Sequence, residues 1–162
     1  MVIQYGIQIC RLVQYLHSAG REPILYLDLQ PNNLLLCNGV IKLVDFGTAD
    51  YLIRANETNR RCGTPGCAAP EQYTRGPLDE RTDIYAIGVI LFYLATGQLP
   101  ESTGKVSFTD WDMALGREFG TLIRNCLSSR EQRPETALEV EKRLELLLDL
   151  EPWVFRKDSD TS

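Results

Sequence analysis

The chain has 162 residues, 44% of them hydrophobic, with 17 basic and 22 acidic side chains and a formal charge of -5. That length supports one buried core. The negative balance argues against a nucleic-acid partner, because phosphates would be repelled unless the cations were gathered on one face.

The first element in chain order is a helix. Ile3, Ile7, Cys10, Val13 and Leu16 recur at three- and four-residue intervals, which gives one buried helical face, and His17 and Gly20 are expected to close it. The same stretch carries Gln4, Gln8 and Arg11 among its apolar residues and has no basic region ahead of an apolar core, so it is not a signal peptide. His17, the sole histidine, sits where that helix ends and reads as a dipole-complementing or packing residue.

Two short apolar runs, Ile24 to Tyr26 and Leu34 to Leu36, flank the polar loop Asp28-Leu29-Gln30-Pro31-Asn32-Asn33. Asn38-Gly39 then joins Leu34 to Leu36 with Val40 to Val44, a hairpin signal because both turn residues tolerate positive φ. Residues 48–81 show no sustained periodicity and are rich in Gly, Pro, Thr, Asn and Arg, which predicts a long surface segment, functional or mobile.

Helical patterns resume at residues 83–96, about 117–127 and 135–149, with Pro134 placed where a first turn accepts proline. The most apolar stretch, Ile84 to Ala95, has 12 residues where a span needs about 20, so it predicts a buried core helix and no membrane partner. Five cysteines without a C-x-x-C pair suggest neither a disulfide framework nor a metal knuckle, and fit a reducing cytoplasm. Residues 151–162 read as a charged tail after a domain spanning residues 1–150.

Chemistry concentrates in three segments: Tyr26-Leu27-Asp28-Leu29-Gln30-Pro31-Asn32-Asn33, then Asp45-Phe46-Gly47, then Gly63-Thr64 followed by Ala69-Pro70-Glu71. Any one triplet arises easily by chance. D-x-x-x-x-N, a D-F-G twelve residues after the Asn and an A-P-E beyond an irregular segment are much harder to obtain together. In this order the segments resemble the catalytic loop, D-F-G and A-P-E motifs of the eukaryotic-type protein kinases, and Gly63-Thr64 resembles the serine/threonine branch.

The resemblance runs from Ile3 to about Leu148. It implies a mainly helical fold of about five helices with one or two small β-hairpins, the large C-terminal lobe of a kinase, and transfer of the ATP γ-phosphoryl group to a protein Ser or Thr. By the same resemblance, Asp28 would orient the substrate hydroxyl and accept its proton, with Thr64 hydrogen-bonded to it. Asn33 and Asp45, the latter within Asp45-Phe46-Gly47, would hold Mg²⁺ for ATP. Asp83 would brace the catalytic-loop backbone, and Glu71 would pair with Arg133.

Three departures accompany the resemblance. The match starts inside the first helix of the large lobe, so the expectation is a lobe without its N-terminal partner: no Gly-rich loop, strand lysine, regulatory-helix glutamate or adenine hinge is found. On that reading the chain alone would be inactive, and a separate small lobe, or another part of a longer product, would complete it. Tyr26-Leu27 stands where the family has His-Arg, which removes a receptor for a phosphate on the activation segment. Gln30 replaces a lysine aimed at the moving phosphoryl group, a neutral donor in place of a charged one. A short stretch containing Trp111 also stands in for a longer substrate-facing region. These departures leave a pseudokinase-like binding module, or a truncated gene remnant, as alternatives to an enzyme.

Overall fold

The computed structural model describes residues 1–58, 62–74, 76–100 and 115–150. Among these residues it is mainly helical, with two small antiparallel sheets. The first helix, α1 (Val2–Ser18), buries Ile3, Ile7, Cys10 and Val13, the stripe its spacing predicts. It ends on Ala19 with right-handed backbone, so Gly20 does not serve as its cap.

Strand β1 (Ile24–Leu25) leads into the Asp28 loop, which closes in a 3-10 turn at Pro31–Asn33. The hairpin follows, β2 (Leu34–Cys37) pairing with β3 (Val40–Leu43) in the register Leu34 with Leu43 and Cys37 with Val40. Asn38 (φ 51°) and Gly39 (φ 80°) both take the positive φ that a two-residue turn of this hand requires.

The stretch predicted to be irregular contains more structure than its pattern indicates. Strand β4 (Asp50–Tyr51) pairs antiparallel with β1, the short helix α2 (Leu52–Glu57) follows, and a 3-10 turn spans Pro70–Gln72. Two-residue strands and a six-residue helix are too short to show a period, so tertiary pairing decides them.

Helix α3 (Glu80–Thr96) starts on Asp79, whose carboxylate accepts the Arg81 N–H, and ends on Gly97 at φ 74°, the left-handed stop that glycine permits. It is apolar nearly all round because it is buried on all sides, against α1, β1 and α4 (Arg117–Cys126). Gly88 makes the α3–α4 contact: a Cβ there would lie 2.6 Å from that of Cys126. The last helix, α5 (Ala137–Leu150), packs along α1, and Pro134 precedes it rather than occupying its first turn.

One core joins α1, α3, α4 and α5, with Tyr26 and Leu29 reaching into it from the Asp28 loop. No helix among the described residues is long and apolar enough to cross a membrane. The stretch around Trp111 and the charged tail lie outside the described residues.

Candidate functional site

Asp28 is the hub, held by two donors from its own loop and two from the segment that carries Thr64. Thr64 approaches from the loop before Ala69, donating its Oγ1 hydroxyl at 2.7 Å and its backbone N–H at 3.1 Å to Asp28 Oδ1. Oδ2 accepts the side-chain amides of Gln30 at 3.0 Å and Asn33 at 3.2 Å, and Asn33 also donates to the Asp28 carbonyl at 2.9 Å. Four donors therefore fix the direction of a half-buried carboxylate.

The backbone beneath Asp28 is held from below. Asp83, 1% exposed on α3, accepts the Tyr26 N–H at 2.8 Å and the Leu27 N–H at 2.9 Å, and His17 Nε2 lies 2.8 Å from the same carboxylate. A carboxylate can only accept, so Nε2 carries the proton in that contact. His17 thus supports the brace under the loop, a role that its position at a helix end does not reveal, since Asp83 is 66 residues away.

Leu27 sits at φ 66°, a left-handed conformation that costs a non-glycine residue about 1–2 kcal/mol. Its N–H goes to Asp83, and its carbonyl accepts Gln72 Nε2 at 2.7 Å, so both sides of the strained residue are tied to buried side chains. Gln72 is a participant that the sequence did not mark.

Asp45, just past β3, also has positive φ (61°), and its Oδ1 accepts the Gly47 N–H at 3.1 Å. The Val44 N–H donates to the Asn33 carbonyl at 3.0 Å, which extends the hairpin by one bond and brings the Asn33 and Asp45 ends of the two strands together. The Tyr26 hydroxyl donates to the carbonyls of Val44 and, at 3.1 Å, Asp45. Burial, with Asp28, Asp45 and Asp83 nearby, pushes that phenol up to about 12, so it remains a donor at any ordinary pH. Phe46 stands edge-on to the Tyr26 ring with centroids 5.4 Å apart, yet 51% of it is exposed.

Glu71 and Arg133 form a bidentate pair at 2.6 and 3.1 Å, both buried. Thr82 donates to the same Glu71 oxygen at 3.2 Å, and Arg133 also reaches the carbonyls of Arg81 and Ser128. The pair therefore fastens the turn after Ala69 to the start of α3 and the approach to α5.

As a metal site, Asn33 and Asp45 offer one amide oxygen and one carboxylate. The Asn33 nitrogen is committed to Asp28, which leaves its oxygen to serve as a ligand. Hard oxygen donors of this kind suit Mg²⁺, which keeps waters and phosphate oxygens in its shell. No group of three or more His, Cys, Asp or Glu able to enclose a metal occurs among the described residues. Cysteine chemistry fits poorly in the core: burial raises Cys10 well above the usual thiol range and Cys126 to about 12.

Comparison with known proteins places this geometry in context. The family model for the protein kinase domain matches residues 2–148. The chain is 42% identical over 98 residues to a probable myosin light chain kinase of Dictyostelium discoideum, covering 57% of this chain and 27% of that protein. It is 38% identical over 97 residues to cAMP-dependent protein kinase type 3 of Saccharomyces cerevisiae, with coverage of 59% and 23%. A probable serine/threonine-protein kinase of Clostridium acetobutylicum is 35% identical over 105 residues, with coverage of 61% and 15%. The matched stretches thus cover at most 27% of the length of these relatives.

Proposed function

Because the chain belongs to the protein kinase domain family, we propose that its Asp28 site serves phosphoryl transfer from ATP to a Ser or Thr hydroxyl of a protein substrate. The observation that carries this reading is the convergence of Thr64, Gln30 and Asn33 on the Asp28 carboxylate. The four donors fill the carboxylate's lone-pair sites, so Gln30 would turn from Oδ2 toward the phosphoryl group. That frees Asp28 to orient an incoming hydroxyl and take its proton as the oxygen bonds to phosphorus and the bond to the departing ADP oxygen breaks. Asn33 and Asp45 would hold Mg²⁺, which when bound would offset the negative charge that develops on the phosphates. Gln30 would then offer a neutral N–H toward the phosphoryl group, weaker than a lysine in its place.

On this reading residues 1–150 are the large lobe, and a small lobe, in the same polypeptide or a separate one, supplies the phosphate clamp and adenine hinge. The exposed apolar side chains Leu35, Leu36, Val40 and Phe46 on and beside the hairpin support such a covering. A non-catalytic binding module is the second reading, and Leu27 and Gln30 favour it, since one replaces the receptor for an activation-segment phosphate and the other the lysine aimed at the moving phosphoryl group.

The test joins a compatible kinase small lobe to the Met1 side and measures phosphate transfer, with Asp28→Asn and Asp45→Ala as controls and Gln30→Lys as enhancer. Transfer that depends on both aspartates supports the enzyme. A folded, ATP-binding protein inactive even with Gln30→Lys makes the chain a binding module, and activity that survives both aspartate changes overturns the residue assignment.

A further inference from the structure

Gln72 is 3% exposed, and its one amide joins three pieces of backbone. Nε2 donates to the Leu27 carbonyl and to the Cys62 carbonyl, each at 2.7 Å, while Oε1 accepts the Ala69 N–H at 2.9 Å. Both N–H groups are thereby used. Leu27 is the strained residue directly before Asp28, and Cys62 lies two residues before Thr64. The amide thus ties the Asp28 loop to the segment that delivers Thr64, at a point buried beneath their meeting place.

The packing shows how closely the clasp is built. Gly63, between Cys62 and Thr64, has φ 118°; a Cβ there would fall 2.7 Å from Gln72 Nε2, 2.6 Å from the Ala68 Cβ and 3.2 Å from the Leu27 carbonyl oxygen. The segment can approach the amide only because residue 63 has no side chain.

We infer that Gln72 is a positioning residue: a neutral clasp that seats the Cys62–Thr64 segment on the Asp28 loop and so sets the Thr64–Asp28 contacts. It acts on the site of the proposed reaction and to that extent rests on the reading above, but its first readout is independent of activity. A neutral amide does not titrate, so the seating it provides is insensitive to pH. Among the described residues the ionisable groups near it include Cys62 on the segment, Asp28 next to Leu27, Asp83 bonded to the Leu27 N–H, Tyr73 beside it in the chain, and Glu71 on its own turn, paired with Arg133 from before α5.

Substitution separates clasping from simple packing. Gln72→Met keeps the length and apolar contacts but removes the donors and leaves two carbonyls facing an apolar group. Gln72→Glu keeps the shape but points an acceptor-only carboxylate at two carbonyl oxygens. Burial and those carbonyls favour the neutral acid, whose O–H can donate to one of them, so the carboxyl titrates above its usual range. The seat is then partly restored at low pH and lost as pH rises through the raised value.

The experiment is hydrogen exchange on the full chain, corrected for the intrinsic rate. The reporter is the Thr64 amide, which donates to Asp28, and the α5 amides report global opening. Protection of Thr64 should fall by about tenfold or more in Gln72→Met, with α5 unchanged. In Gln72→Glu it should fall at about pH 8 and recover toward about pH 5, whereas the unsubstituted chain stays flat. If Gln72→Met does not fold, Gln72→Asn, one methylene too short to span both carbonyls, takes its place. Thr64 protection that is unchanged, that falls in step with α5, or that shows no pH dependence in Gln72→Glu overturns the inference.

In the kinase completed with a small lobe, Gln72→Glu should lower kcat at high pH, with the KM for ATP unchanged and recovery on acidification. Should the unsubstituted completed protein transfer no phosphate, the proposed function fails while the exchange result still decides the clasp.

Discussion

Asp83 is 1% exposed and receives two backbone N–H groups and a histidine, whereas Phe46, in the segment just past β3, is 51% exposed and the Asp45 side chain beside it accepts only the nearby Gly47 N–H among its described bonds. Both regions contain a non-glycine residue at positive φ, Leu27 in one and Asp45 in the other. Around Leu27 the strain is offset by buried hydrogen bonds on both sides of the residue. Around Asp45 the Tyr26 hydroxyl holds the carbonyl, but the carboxylate faces outward. The contrast separates what this chain preorganises by itself, a fixed Asp28, from what it leaves open, a carboxylate and an aromatic ring beside an exposed apolar hairpin. In the proposed reaction a nucleotide, a metal and a second lobe would complete that half of the site.

The comparison breaks if damage to the underside is tolerated. Arg133→Ala should have the largest effect, a loss of about 3–5 kcal/mol in urea unfolding, because it strands the Glu71 carboxylate at 9% exposure. Replacing both partners, Glu71→Leu with Arg133→Met, should cost less than the single change. A single substitution within 1 kcal/mol of the parent would mean that the pair does not fasten the turn to α3.

Asp83→Asn comes next. The side chain keeps its size, but one of its two acceptor positions becomes a donor facing N–H groups, so about 2–3 kcal/mol should be lost. Faster exchange at the Tyr26 or the Leu27 amide should accompany the loss, whichever of the two faces the new NH₂ group and is left without its acceptor. Unchanged exchange there would show that the strained residue is held by something else.

Tyr26→Phe probes the join between the two regions. Loss of the hydroxyl bonds to Val44 and Asp45 should cost about 1 kcal/mol at neutral pH. The parent also carries a pH signature. Its phenol, raised to about 12 in the fold from an ordinary 10, gives a contribution that is complete below about pH 10 and lost as pH rises toward 12. Cys10 and Cys126, also raised by burial, contribute an alkaline loss of stability in both proteins. The Tyr26 loss is therefore read as the stability difference between the parent and Tyr26→Phe, which should shrink as pH rises from about 10 toward 12.

Much of this frame was legible in the sequence, and the limits have physical causes. The three- and four-residue spacing located α1, α4 and α5, and Asn38-Gly39 located the hairpin, because those signals are local. The central helix was visible as an unbroken apolar run from Ile84 to Ala95. Strands β1 and β4 were not legible as a pair, since each has two residues and 24 residues separate Leu25 from Asp50. The order Asp28, Asn33, Asp45, Glu71 pointed to one site, and the structure brings Asp28, Asn33 and Thr64 into contact and Glu71 against Arg133. His17 was read as a dipole-complementing or packing residue and Gln72 was not singled out: each acts through a partner far along the chain, and a lone His at a helix end or a Gln after Pro-Glu is compatible with many surroundings. Leu27 was read by the charge it lacks, but its left-handed backbone is visible only in the fold.

Asp45→Gly should have the smallest effect on stability and so draws the contrast most sharply. Glycine adopts φ near 61° without the clash that a Cβ brings, which returns about 1 kcal/mol, while the lost bond from the exposed Gly47 N–H takes back part of it. The unfolded chain gains freedom at the same position, which opposes folding by a similar fraction of a kcal/mol. The net change should therefore lie within about 0.5 kcal/mol, far below that at Asp83, although both residues are aspartates beside the same loop. In the kinase completed with a small lobe, the same substitution should abolish Mg²⁺-dependent transfer, because one of the two proposed oxygen ligands is gone. Unfolding curves and a phosphate-transfer assay on one preparation read both quantities. A loss of more than 2 kcal/mol would show that the Asp45 carboxylate is structural and would remove the distinction between a preorganised underside and an open tip. Retained transfer with unchanged stability would leave the tip open but take Asp45 out of the metal site.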